Sequence, residues 1–455
     1  MEEVMMSQKK KHSFRFSSAQ FITGSFLLII LIGACLLSLP IASVNGPTNF
    51  LDALFVATSA TCVTGLTTVN TAAHWTLFGR TVIMILIEIG GMSFLLISLM
   101  ILFTSKKKAS FSTRMLIKDY MNLGEFSGVF KIAKYTMKIS LSIQLLGTFL
   151  LSFYFVPKHG FLNGLGHSIF HAVSAFCNAG FDLFGDSLES ATKEPFLLVV
   201  ISLLILAGGL GFVVWKELLE FGKRKKLSMH SSLTLRASMI ILGLSFLLFF
   251  IFEKGFSIHD HTLSFTEKIS NILFLTVTPR TAGFNNVSYT NVSTASLLLT
   301  TFLMFIGGNS GSTAGGLKVS TFSVLFLNIK NILLGKEHTS YRERTIKKNT
   351  ILSSYALFFL ALTLISVSAI ILSVTETIPQ NFGVEYIIFE VFSAFGTVGV
   401  TMGLTPNLTV VGKVVIMLLM FIGRIGIYTF IFSLIRKRQS THDHFKYPEG
   451  FLMVG

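Results

Sequence analysis

Eight long apolar runs punctuate the chain, at 21–42, 77–103, 132–156, 196–222, 233–252, 294–334, 350–374 and 409–435. Each has the roughly 20 residues that a helix needs to cross a hydrocarbon core of about 30 Å. Within each successive pair lies a shorter apolar run, at 51–62, 164–177, 267–277 and 384–395, which ends in a Gly/Thr/Asn segment. A dozen helical residues rise only about 18 Å, so these four read as re-entrant half-helices. Their tails are ATCVTGLTTV, FCNAGFDLF, PRTAGFNNV and FGTVGVTMG, centred on Gly65, Gly180, Gly283 and Gly399. The glycines stand 115, 103 and 116 residues apart, close to a quarter of the 455-residue chain. Fourfold internal repetition follows, with units expected at 1–105, 106–226, 227–336 and 337–455. The expected fold is an all-α polytopic membrane protein of four membrane-pore-membrane repeats. Eight transmembrane helices and four pore helices would surround one central pathway.

Composition agrees. The chain is 51% hydrophobic and 13% charged, whereas a soluble domain carries about a quarter charged residues. Lys9, Lys10, Lys11 and Arg15 before the first run imitate a secretory signal. The run itself exceeds a signal's roughly 7–15 apolar residues and reads as a retained first helix. Of the 37 Lys and Arg, 28 fall in five segments on one side: before the first run, at 106–138, 216–236 and 330–348, and after 432. The positive-inside rule then places both termini in the cytoplasm and brings the four loops in from outside. Such basic loops suit anionic lipid headgroups or an acidic regulatory protein, and not nucleic acid. Cys35, Cys62 and Cys177 form no CxxC pair and read as small apolar fillers.

Non-helical backbone at membrane depth must be buried in protein or line a water-filled cavity. Four such loops are most simply a ring around one axis. Glycine reaches positive φ without steric cost, so neighbouring carbonyls are free to turn toward that axis. Carbonyl oxygens replace a cation's hydration shell, and the half-helices aim their partially negative ends at the same point. The sixth run is broken by Gly307, Gly308, Asn309, Ser310, Gly311, Ser312, Thr313, Ala314, Gly315 and Gly316. It is the only run expected to break, GGLGF at 208–212 being read as part of a helix. Gly311 and Gly316 have phosphate-loop spacing, but Leu317-Lys318 follows them, so no nucleotide site is expected there. Arg424 lies mid-run, where a cation faces a cavity or a partner. Glu88 reads as a paired, structural carboxylate or a coupling-ion site. His167 and His171 have i,i+4 spacing but lack an HExxH frame. Asp182 and Asp186 either concentrate cations or belong to an ordinary solvated loop.

These motifs resemble the Trk/Ktr/HKT superfamily of potassium transporters, and within it the Ktr-type membrane subunit. The resemblance spans nearly the whole chain. It rests on Val63-Thr64-Gly65-Leu66, Asn178-Ala179-Gly180-Phe181, Thr281-Ala282-Gly283-Phe284, Thr397-Val398-Gly399-Val400 and GGNSGSTAGGLK at 307–318. It implies that the four loops form a K⁺ selectivity filter with one glycine per repeat. Serine at the first glycine accompanies Na⁺ conduction in the family, so Gly65 implies potassium. The 307–316 loop becomes an intramembrane gate, with Arg424 and Lys318 beside it. The resemblance further implies a homodimer with one pore per protomer, the 445–455 segment contributing to the contact. A cytosolic ring of RCK-type subunits would bind ATP or ADP, since this chain has no dinucleotide fingerprint of its own. No cofactor or structural metal is expected in the chain, whose place would be a bacterial plasma membrane. Na⁺ stimulation stays open. Two alternatives remain: another cation transporter, or a membrane-embedded enzyme, for which the chain offers no GxSxG, HExxH or aspartate pair on separate helices.

Overall fold

The structure is a computed structural model, and it describes residues 17–92, 129–257 and 259–435. The N-terminal basic cluster, the end of the 77–103 run, most of the 106–138 basic segment and the 445–455 tail lie outside the described residues. Apart from a hairpin of two-residue strands, Ser340–Tyr341 and Arg344–Thr345, the regular structure is helical.

Among the described residues, four helices are long and apolar enough to cross a membrane unbroken: Ala19–Leu37, Lys134–His159, Met229–Phe252 and Lys348–Thr375. They coincide with the first run of each expected repeat. The second of them is the apolar part of a helix that begins at Val129. Helix Met229–Phe252 explains how such a sequence packs. It buries Ser231, Ser232, Thr234, Ser238 and Ser245, yet exposes Met239, Ile240, Leu244, Leu247 and Ile251. Small polar side chains face the interior, where they permit close approach, and the large apolar ones face outward, as lipid demands.

The four pore helices are Phe50–Cys62, Phe161–Cys177, Phe265–Val277 and Glu385–Gly396. The first starts at an Asn49 cap and the third at a Ser264/Glu267 capping box. The second begins three residues earlier than expected, because Gly160 at φ +76° turns the chain directly out of helix Val129–His159. Each is anchored by a buried phenylalanine, respectively Phe55, Phe176, Phe274 and Phe389.

The second helix of the second and fourth repeats departs from expectation. The 196–222 and 409–435 runs are not straight spans. Pro195–Gly209 and Phe212–Gly222 meet at 97°, and Val410–Ile425 and Ile427–Leu434 at 104°. The third repeat's second helix divides into Thr294–Phe305 and Val319–Leu333, as expected. Both unforeseen breaks pivot on a glycine, Gly211 at φ +88° and Gly426 at φ +94°. GGLGF at 208–212 is therefore a corner, and its freed carbonyls are hydrogen-bonded by the intramembrane loop. Hydropathy missed these corners because the interrupting residues are themselves apolar or glycine.

One buried lock joins two connections at the pore-helix entrance side. Glu253, which caps helix Met229–Phe252, accepts from the Ser293 N–H (3.2 Å) and Oγ (2.8 Å) and lies 2.7 Å from His259 Nε2. Burial works against its charge, yet hydrogen bonds from His259, Ser296 and Ser293 outweigh that and hold the carboxyl down at about 2. A depressed carboxylate stabilises the fold above its unfolded value, near 4.5, and loses that contribution as pH falls through about 2. Glu253→Gln is thus expected to cost about 2 kcal/mol. In detergent melts its melting temperature should lie below wild type at pH 5, with the gap closing only under strong acid.

Candidate functional site

Each pore helix ends in the same backbone manoeuvre. Val63, Asn178, Thr281 and Thr397 take positive φ (56°, 62°, 67° and 50°), and two residues later Gly65, Gly180, Gly283 and Gly399 do so again (100°, 68°, 81° and 95°). In repeats one, two and four the first of these is the left-handed helix C-cap. In the third, an extra turn after Val277 delays it to Thr281. Between each pair stands one residue, Thr64, Ala179, Ala282 or Val398, whose carbonyl is turned out of the loop.

Those four carbonyls close a ring. A Cβ placed on Gly65 would lie 2.7 Å from the Ala179 oxygen, on Gly180 3.0 Å from that of Ala282, and on Gly283 2.9 Å from that of Val398. On Gly399 it would run into the Thr64 oxygen. The order is cyclic, one to two to three to four and back. Each glycine thus faces the carbonyl offered by the next repeat, and no room remains for a side chain at any of them.

Buried hydroxyls brace the loops, and the sequence reading overlooked them. Ser59 Oγ accepts from the Gly65 N–H (3.0 Å) and Ser393 Oγ from that of Gly399 (3.1 Å). Ser174 Oγ donates to the Phe181 carbonyl (2.7 Å), and Thr278 Oγ1 donates to that of Phe284. A Ser or Thr recurring five or six residues before each glycine was the available signal.

Beyond the glycines the ring opens into a vestibule of about 490 Å³. Asp182, Asp186 and Glu189 line it, and no Lys or Arg does. Asp182 also shapes its wall by accepting from the Phe184 and Gly185 N–H groups (2.9 and 2.8 Å). An acidic funnel of this kind raises the local concentration of cations.

The 307–316 loop lies on the ring's other side. Thr313 Oγ1 donates to the Phe176 carbonyl (3.2 Å) at the end of the second pore helix, while Gly315 packs on Thr397 at the end of the fourth. The broken helices receive it: Asn309 N–H donates to Gly209 O (3.1 Å), Thr313 N–H to Gly208 O (3.2 Å) and Gly316 N–H to Gly423 O (3.2 Å). Arg424 is buried and ties the loop to the first repeat. Its Nη1 donates to the Thr313 carbonyl, and its Nη2 to the carbonyls of Gly90 and, at 3.2 Å, Gly91. Lys318 caps the resumed helix and donates to Ala314 O (2.5 Å), so it belongs to the loop and not to a free surface.

The remaining candidates have local partners. Glu88 accepts from Gln144 (2.9 Å) and Cys177 (3.4 Å). His171 accepts the Leu183 N–H at Nε2 (3.2 Å), and its Nδ1 faces the His167 carbonyl (2.8 Å), which occupies both ring nitrogens.

A family model described as TrkH, cation transport protein, matches residues 2–442. The chain belongs to the TrkH family. It is 49% identical over 453 residues to the potassium/sodium uptake protein NtpJ of Enterococcus hirae, covering 99% of this chain and all of that one. It is 40% identical over 441 residues to the Ktr system potassium uptake protein B of Bacillus subtilis, covering 97% of both. The crystal structure of the potassium transporter TrkH from Vibrio parahaemolyticus superposes with a TM-score of 0.74 at 19% identity, over 94% of this chain and 87% of that one. That likeness establishes the polytopic membrane fold. The TrkH family is one of cation transporters, so the membrane-embedded enzyme considered from sequence is set aside.

Proposed function

We propose that the protein takes up potassium across a bacterial plasma membrane, through the ring of Thr64, Ala179, Ala282 and Val398 carbonyls. The cyclic carbonyl-to-glycine arrangement is the observation that supports this most. Four inward dipoles from four loops form a site for a bare cation, and the buried Thr64 and Thr397 hydroxyls, without a protein partner, add oxygens nearby. The relatives from E. hirae and B. subtilis, a potassium/sodium uptake protein and a potassium uptake protein, have K⁺ in common, which favours it as the substrate. The segments around Gly65, Gly180, Gly283 and Gly399 are then the selectivity filter, and residues 307–316 with Lys318 and Arg424 the gate. The repeats are taken to divide at 105, 226 and 336, with both termini cytoplasmic. The protein would work as a homodimer under a cytosolic RCK-type ring carrying ATP or ADP, as the Ktr resemblance implies.

The test is K⁺ uptake in a bacterial strain without its own K⁺ transporters, with this chain alone and with an RCK-type partner. Growth and uptake at low external K⁺ are expected. Absence of K⁺ and Rb⁺ movement, despite verified insertion and the partner, would refute the assignment. A smaller effect is expected from Ser393→Ala, which removes the acceptor of the Gly399 N–H. One buried hydrogen bond is worth about 1 kcal/mol, so apparent K⁺ affinity should weaken about fivefold while maximal uptake persists.

A further inference from the structure

A second cavity, also about 490 Å³, lies at the far end of the Met229–Phe252 span from Glu253. It is walled by the end of helix Phe212–Arg224, the start of Met229–Phe252 and the strand hairpin. Lys225, Lys226, Arg236, Arg342 and Arg344 all line it, and no carboxylate does. Among the described residues none of the five makes an ion pair. Glu217, on the adjoining helix, accepts the Ser228 N–H (2.8 Å), and neither it nor Glu343 belongs to the lining.

The backbone builds this convergence. Arg342 and Glu343 hold positive φ, 47° and 63°, in a turn that sends both Arg342 and Arg344 to the cavity. Tyr341 OH lies 3.2 Å from Ser232 Oγ and pins the hairpin to the spanning helix. Five like charges around one concavity repel unless an anion joins them. Guanidinium forks match the oxygens of a phosphate.

The rest of the wall is apolar, from Phe221, Leu227, Met229 and Leu235. From Arg236 the same helix face continues outward as exposed Met239 and Ile240, one turn deeper toward the membrane interior. A basic pocket passing directly into an apolar stripe fits an amphiphile whose head is anionic. We propose that this cavity binds a phosphate-bearing anion, supplied by an anionic phospholipid whose chains lie along Met239 and Ile240.

Native mass spectrometry of the full-length protein, titrated with phosphatidylglycerol or phosphatidylcholine, tests this, alongside melting with inorganic phosphate. Wild type is expected to retain phosphatidylglycerol over phosphatidylcholine. Arg236→Gln/Arg342→Gln/Arg344→Gln should retain it about a hundredfold less tightly, each basic residue near an anionic surface contributing about a factor of five. Should that variant fail to fold, Arg342→Gln/Arg344→Gln alters only exposed hairpin positions and should lose at least about tenfold. Lys330→Gln/Lys336→Gln, which removes two exposed charges outside the cavity, should bind as wild type. If inorganic phosphate raises the melting temperature of wild type but not of the arginine variants, with the two lipids retained equally, the phosphate site stands and its source is soluble. Equal retention of both lipids by all proteins, with no arginine-dependent effect of phosphate, overturns the proposal.

Discussion

Replacing Gly283 with serine is expected to cut K⁺ uptake at low external K⁺ by at least about a hundredfold and to abolish the preference for K⁺ over Na⁺. A Cβ at this position would lie 2.6 Å from Gly180 Cα, 2.9 Å from Val398 O and 3.1 Å from Thr64 O. Those atoms belong to all three other repeats, so the side chain would enter the centre of the ring. Its φ of +81° is also a conformation that L-residues avoid, at roughly 1–2 kcal/mol. Two carbonyls must then move, and oxygen contacts to a charged group are worth about 1.5–3 kcal/mol each. The sum gives about a hundredfold or more. Gly46→Ala is the control. Gly46 has φ +95°, but nothing lies within 4 Å of its added Cβ, so it carries the backbone strain without the obstruction. Rb⁺ uptake and Na⁺ competition in the transporter-deficient strain separate the two. Unchanged selectivity in Gly283→Ser would remove the ring from ion coordination.

Arg424→Gln should raise Rb⁺ flux through purified, partner-free protein in vesicles by about tenfold or more. The guanidinium holds the Thr313 carbonyl of the intramembrane loop against Gly90 and Gly91 of the first repeat. Charge-assisted bonds of this kind are roughly twice as strong as neutral ones, and glutamine cannot span the same carbonyls. The substitution also removes a fixed positive charge from the route of a cation. Two unit charges about 8 Å apart repel by about 2 kcal/mol at an effective dielectric of 20, which alone corresponds to about thirtyfold in a rate. Arg424→Lys separates the contributions, since it keeps the charge but loses the planar fork. Flux near wild type for the lysine variant and high flux for glutamine would assign the effect to charge. High flux in both would assign it to the tether. No increase in either, with the protein folded, would contradict a gating role for residues 307–316.

The four pore helices and their glycines were legible because two local signals coincide there: a run too short to span, and a small-residue tail at near-constant spacing. The turn that carries the first positive φ was not. Val63, Asn178, Thr281 and Thr397 share the conformation without sharing chemistry. The bracing hydroxyls escaped for a related reason. Ser59 and Ser393 accept where Ser174 and Thr278 donate, so a common role is written in opposite polarity. The corners at Gly211 and Gly426 lie in uninterrupted hydropathy, and only the loop that hydrogen-bonds their neighbours makes them necessary. Arg424 stood out by its charge alone, whereas its partners Gly90, Gly91 and Thr313 offer main-chain carbonyls that no side-chain pattern encodes.

The cyclic meeting of glycine and carbonyl occurs within one polypeptide, and that sets how its ion preference is able to drift. In an assembly of four identical subunits, one codon change alters every corner of the opening at once. Here a change enters at one corner only, even where, as at Gly283, it presses on atoms of the other three. Each corner is inherited separately, and the residues that offer the four carbonyls, Thr64, Ala179, Ala282 and Val398, have already diverged.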